Sequence, residues 1–197
     1  MKPLNERQER ILLSLKKLDY LNREQLQKIH RLGQKRNANR ILQQLSPYLS
    51  NYREEFSTIY YLNKTGREYV NSQKVRKKSN FVQHVIMRND FYIFVGFPHE
   101  WRNEMKLTDG INTVVCDAWF KANGRYNILE VDHMQTMKEN KAKIERYRGL
   151  LEAGAVEKHF GYFPMLIWLT TTKLRKAKLA ELCKGLPHFI YTMDDIK

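Results

Sequence analysis

The chain has 197 residues, 42% of them hydrophobic and 12% aromatic, which is enough for one large core or two small ones and too much for a disordered polycation. Its 35 Lys and Arg against 21 Asp and Glu leave a formal charge of +14, so a polyanionic partner is expected. Cys116 and Cys183 are too few for a disulfide framework, and no apolar run approaches the ~20 residues of a membrane span.

The charge is uneven. Residues 1–78 carry 18 Lys and Arg against 7 Asp and Glu, net +11, whereas residues 79–197 carry 17 against 14, net +3. The break falls in the basic, polar stretch around Lys74, Arg76, Lys77 and Lys78, so the sequence divides into residues 1–72, a basic linker 73–79, and residues 80–197. The polar amino terminus has no apolar core of a secretory leader, so a cytoplasmic location is expected, and without an amphipathic anchor nucleic acid is expected ahead of lipid.

Ile11, Leu12, Leu15 and Leu18 recur at helical spacing and predict a first helix from about Asn5, its N-cap, to Leu18. Asn22 predicts the cap of a second helix that buries Leu26 and Ile29 and stops near Gly33. A third helix fits residues 34–45, with Ala38, Ile41, Leu42 and Leu45 on one face and Arg36, Arg40 and Gln43 opposite, flanked by Asn37, Asn39 and Gln44. Two β-prone runs follow, 48–53 and 56–62, then a turn into a closing helix near Tyr69. Three helices and a hairpin in that order predict a winged helix-turn-helix, which places the third helix in the major groove and the hairpin against the backbone.

A basic polar helix face is by default a solvated one. Here net +11 and the full element order favour DNA, because arginine and amide side chains are the types that read base edges. Arg36, Asn37, Asn39, Arg40 and Gln43 are the candidate reading residues; Arg53, Lys64 and Arg67 are the candidate phosphate contacts near the hairpin.

Beyond the basic stretch, residues 80–94 predict a helix burying Phe81, Val85 and Tyr92. Strands are predicted over 101–107, 112–120 and 126–132, with turns at Asp109-Gly110 and Asn123-Gly124. A helix over 136–151 buries Met137, Ile144, Tyr147 and Leu151; a strand over 165–169, a helix over 174–183 and a strand over 189–192 complete an αβββαβαβ order. The fold class is therefore α/β (α+β), with a central mixed sheet and helices on its faces.

Period 2 puts Glu130 and Asp132 on one strand face, where a hairpin neighbour brings Asp117 beside them. Such carboxylates repel unless a cation intervenes, and three of them suit Mg²⁺, the ion of phosphodiester hydrolysis. Isolated acids at strand ends also simply cap turns. His133 has no second His or Cys at ligand spacing, so zinc is not indicated.

The segments 116–120 (CDAWF), 128–132 (ILEVD) and 143–148 (KIERYR) resemble the replication-relaxation family of bacterial plasmids and mobile elements. The resemblance implies a winged helix joined to a PD-(D/E)xK nuclease-like domain. It maps the family's aspartate to Asp117, its Glu-x-Asp strand end to Glu130 and Asp132, and its helix lysine and tyrosine to Lys143 and Tyr147. Cys116 stands where the family has proline, and Asp132 stands where an active nuclease of this fold has lysine, so a catalytic lysine would have to come from the helix, as Lys143 or Lys141.

The expected function is double-stranded DNA binding in replication or relaxation of a plasmid or mobile element, with replication or relaxation proteins as further partners. Two alternatives stand beside it. One is a Mg²⁺-dependent nicking endonuclease using Asp117, Glu130, Asp132 and Lys143; the other is a transcriptional regulator whose second domain forms a homodimer.

Overall fold

The computed structural model describes residues 3–54 and 56–197. The chain folds as two compact units, one ending at Asn89 and the other beginning at Asp90.

In the first unit, α1 (Glu6–Leu18) begins at Asn5, whose side chain accepts from the Gln8 amide while the Gln8 side chain accepts from the Asn5 amide. The same box, Asn22 with Gln25, starts α2 (Arg23–His30) directly after the two-residue strand β1 (Leu21–Asn22). α3 (Lys35–Gln44) follows, then β2 (Leu49–Glu54), β3 (Ser57–Leu62) and α4 (Lys64–Tyr69). These helix and hairpin positions agree with the periodicity; β1 is too short to leave a pattern.

The three strands form an antiparallel sheet in the order β1-β3-β2, with Leu21 opposite Tyr60 and Leu49 opposite Leu62. Ile11, Leu12 and Leu15 of α1 and Ala38, Ile41 and Leu42 of α3 are buried, as are Leu26, Leu32 and Leu62. Gly66 is required by packing: a Cβ there would lie 2.1 Å from the Tyr48 carbonyl oxygen.

The first turns of α5 (Val82–Phe94) complete this unit, with Val82, Val85 and Ile86 packed against Tyr20 and Ile59. Phe81 departs from expectation. It precedes the first helical residue, so it lies off the buried stripe, is 51% exposed and stacks on His84 at 4.3 Å. A buried polar knot anchors the α1–β1 turn. Asp19, in left-handed backbone at φ 71°, accepts from Arg88 at 3.1 Å and from Arg76 at 2.7 Å. Asn89 donates to the carbonyls of Leu18 and Tyr20 at 3.0 and 2.7 Å. Arg76 belongs to the basic stretch 73–79, which in this respect is bound to the first unit.

The second unit contains β4 (Trp101–Thr108), β5 (Thr113–Ala122), β6 (Arg125–Asp132), α6 (Met137–Glu152), α7 (Ala155–Phe160), β7 (Met165–Thr170), α8 (Lys173–Leu182) and β8 (His188–Thr192). The sheet order is β4-β5-β6-β7-β8, antiparallel through β6 and parallel from β6 to β8. Eight α-helices and this five-stranded mixed sheet, among the described residues, make the protein mixed α/β.

Asn123 and Gly124 both have positive φ, 51° and 76°, as a two-residue turn between right-twisted strands requires. The parallel strands need crossovers, which α6 and α8 supply. Ile144, Tyr147, Leu150 and Leu179 from those helices join Ile128, Leu166, Trp168 and Ile190 of the sheet in one core. An aromatic cluster of Phe91, Trp101, Phe120 and Tyr191 forms separately, with ring centroids 5.2–5.9 Å apart.

Two expectations about α6 change. Leu150 and Asn140 are buried, Asn140 donating to Asp132, while Met137 and Leu151 are only partly so. The short helix α7 was also not predicted. It spans six residues between Gly154 and Gly161, both in left-handed backbone, and less than two turns leaves no readable periodicity.

Candidate nucleic-acid interface and the buried carboxylates of the sheet

α3 contains no acidic residue, and Arg36, Asn39, Arg40 and Gln43 are exposed together with Lys35. Arg36, Arg40 and Gln43 lie on the side opposite buried Ala38, Ile41 and Leu42, with Asn39 flanking them, as a 3.6-residue period demands. Asn37 differs. It is half-buried and donates to the Leu32 carbonyl at 2.8 Å, closing the turn before the helix, while its oxygen accepts from Arg40 at 2.9 Å. Its amide therefore holds the start of the helix and steadies one guanidinium. Arg53 on β2 and Lys64 on α4 are exposed and Arg67 is half-buried. Lys64 lies 4.0 Å from Glu68, an exposed pair of little energetic weight.

The acidic residues of the sheet sit in two separate arrangements. Asp117 of β5 accepts from the Val131 amide at 2.7 Å, where the β4–β5 ladder is interrupted and Glu104 has φ 55°. Glu130 on β6 is buried; it accepts from Lys143 Nζ at 2.5 Å and from the Tyr147 hydroxyl. Burial pushes the Glu130 carboxyl up to about 8; Lys143 opposes that rise and Asp117 adds to it. Burial also pulls on Lys143, but the carboxylates of Glu130 and Asp117 outweigh it and hold the ammonium above its ordinary value. Of the two helix lysines, Lys143 reaches Glu130, whereas Lys141 is exposed.

Asp132, two residues on, is occupied differently. Its Oδ2 accepts from Thr170 at 2.6 Å and Arg175 Nε at 2.7 Å, and its Oδ1 from Asn140 at 2.7 Å and Arg175 at 2.5 Å. Burial disfavours its charge, but the bonds from Arg175, Thr170 and Asn140 prevail and hold the carboxyl below its ordinary value.

These residues do not fit a Mg²⁺ ion. The oxygens of Glu130 and Asp132 are already engaged by cations and hydrogen-bond donors, and among the described residues no group of three or more His, Cys, Asp or Glu side chains is disposed to hold a metal. What the arrangement does is satisfy charges inside a sheet: Lys143 and Tyr147 of α6 tie that helix to β6, and Arg175 of α8 ties the second crossover to the same strand. Thr170 and Arg175 were invisible in the sequence because they meet Asp132 only once β7 lies parallel beside β6, and Asn140 because it depends on how α6 turns back over that strand.

Cys116 and Cys183 are free and buried, and burial pushes the Cys183 thiol up to about 12. Among the described residues, no helix is long and apolar enough to cross a membrane.

No curated protein and no solved structure matches the chain. Residues 12–166 match the family model described as replication-relaxation, a span that covers both the α3 face and the Asp117, Glu130 and Lys143 segments. The chain belongs to the replication-relaxation family.

Proposed function

We propose that the protein binds double-stranded DNA through the exposed face of α3, and that it acts in the replication or relaxation of a plasmid or other mobile element. The observation that carries this reading is the α3 face itself: Arg36, Asn39, Arg40 and Gln43 are exposed on one side of a helix without an acidic residue. Guanidinium and carboxamide groups are the donors that pair with guanine and adenine edges, and the charge concentrated in the first 78 residues attracts the backbone.

The unit also has the element order of a winged helix, with α3 as the reading helix and β2–β3 as the wing. Membership of the replication-relaxation family supports the biological setting. In the second unit, the engaged carboxylates support a nuclease-like fold kept as a scaffold, with Lys143 and Arg175 where a metal would otherwise be needed.

Fluorescence anisotropy with a labelled duplex over a salt series tests the reading. Affinity is expected to fall steeply with salt, and Arg40→Ala to lower it about tenfold. Affinity indifferent to both would refute it.

A further inference from the structure

Two hollows meet on the first turns of α1. One is lined by Arg7 and Gln8 of α1 together with Arg40 and Gln44 of α3, where Gln8 Nε2 donates to Gln44 Oε1 at 3.3 Å. The other is lined by Arg7, Arg10 and Lys17 of α1 together with Arg31 at the end of α2. Glu6 and Arg7 line both, so the two make one furrow that starts at Arg40, on the face assigned to base reading, and runs along α1.

Arg7, Arg10, Ser14 and Lys17 follow one another at three- and four-residue spacing and so form one stripe on the helix. From Arg7 to Lys17 that stripe is about 15 Å long at ~1.5 Å per residue. One strand of a duplex carries a phosphate about every 3.4 Å along its axis, so the stripe spans about four of them. Arg7, Arg10, Arg31 and Arg40 are exposed. Among the described residues Glu6 is the one acid that lines the furrow. It is bonded to Arg10, but the two side chains are 79% and 67% exposed, so the pair has little energetic weight and leaves the guanidinium able to turn to a phosphate. Lys17 is half-buried, and burial disfavours its ammonium, a cost that a neighbouring phosphate offsets.

A basic stripe standing alone is a solvated face. This one is continuous with Arg40, and a duplex held at Arg40 continues past it onto a concave, cationic surface as long as a short run of phosphates. We propose that α1 forms a backbone contact beside the α3 site: phosphates of the same duplex are held by Arg7, Arg10, Lys17 and Arg31, and the footprint extends about four base pairs beyond the bases that α3 reads. The inference rests on the α3 reading and adds a division of labour to it. α3 supplies sequence preference, and α1 supplies a share of affinity and of salt dependence.

The test is fluorescence anisotropy of the full chain with a labelled 30-base-pair duplex over a salt series, with circular dichroism to check that each variant is folded. Arg7→Gln/Arg10→Gln/Arg31→Gln should weaken binding roughly tenfold or more and lower the slope of log affinity against log salt by about two to three, ~0.9 for each cation removed. Lys138→Gln/Lys141→Gln/Lys178→Gln, which removes the same charge at exposed positions of the second unit, should do little. Glu6→Gln should tighten binding about twofold, a gain that damage to the fold cannot imitate, whereas exposed Glu157→Gln should not. Leu13, 51% exposed in the furrow, gives a positional readout: Leu13→Cys carrying a photoreactive aryl azide should crosslink to the duplex, while native Cys116 and Cys183 are buried from the reagent. Equal weakening by both triple variants would show a bulk charge effect and overturn the proposal, as would intact binding without a crosslink at position 13. Weakening by Arg40→Ala but not by the α1–α2 triple leaves the α3 reading standing and overturns this one. Weakening by the triple but not by Arg40→Ala overturns the α3 reading and supports the α1 contact.

Discussion

Lys143 Nζ lies 2.5 Å from Glu130 Oε2, so an ammonium from α6 stands directly beside the buried glutamate of β6. The Tyr147 hydroxyl takes the other carboxylate oxygen, one turn further along the same helix. With both oxygens engaged, the glutamate serves as a link between β6 and α6, and its ionisation is coupled to the stability of the unit.

That coupling has a definite sign. The folded state holds the Glu130 proton up to about 8, above the ordinary 4.5, so it binds more protons than the unfolded chain between those values. The stabilisation is full below about pH 4.5 and is lost as pH rises through about 8. Urea unfolding from about pH 5 to about pH 8 should show the wild type losing on the order of a few kcal/mol relative to Glu130→Gln, whose amide does not titrate. Parallel profiles would remove Glu130 as the source.

The engaged carboxylates predict that Mg²⁺ or Mn²⁺ does not turn the protein into a nicking enzyme. Supercoiled plasmid incubated with either ion should stay supercoiled on an agarose gel. Nicking that persists through purification and disappears in Glu130→Ala would reinstate a metal-dependent site.

Two neighbours on α3 should separate cleanly. Asn37→Ala removes the bond to the Leu32 carbonyl and should cost about 1 kcal/mol of stability in thermal or urea unfolding. Arg36→Ala, at an exposed position, should leave unfolding within about 0.5 kcal/mol of wild type while weakening duplex binding. The opposite pattern would move the reading residues off this face.

Arg88 is 2% exposed beside Asp19, itself 3% exposed. Arg88→Met leaves that carboxylate short of a buried cation and should destabilise the first unit by about 3 kcal/mol. Arg76→Met, at a partly exposed position on the same carboxylate, should cost less. Proteolytic cleavage compared between the two variants would expose a failure of that order.

Local interactions made much of the first unit readable. Asn5 and Asn22 announce helix starts because a cap needs only residues three apart, and Ile11, Leu15, Ala38 and Leu42 show the period of one buried face. The Asn123-Gly124 turn is likewise local, since both residues tolerate positive φ. The same logic failed at Phe81, because a one-residue difference in where α5 begins moves an aromatic ring out of the core. It also passed over α7, which is too short for a period to emerge.

The candidate site divides the same way. Sequence alone placed Glu130 and Asp132 on one strand face, exposed Arg36, Asn39, Arg40 and Gln43 along a helix without acids, and concentrated +11 of the +14 charge in residues 1–78. Tertiary structure decided what those groups meet. Lys143 and not Lys141 reaches Glu130, Arg175 crosses 43 positions to close on Asp132, and Arg88 returns to Asp19. The reason is physical: caps, turns and periodic faces follow from bonds within a few residues, whereas the partner of a buried charge is set by which strands lie side by side and how each crossover helix is rotated.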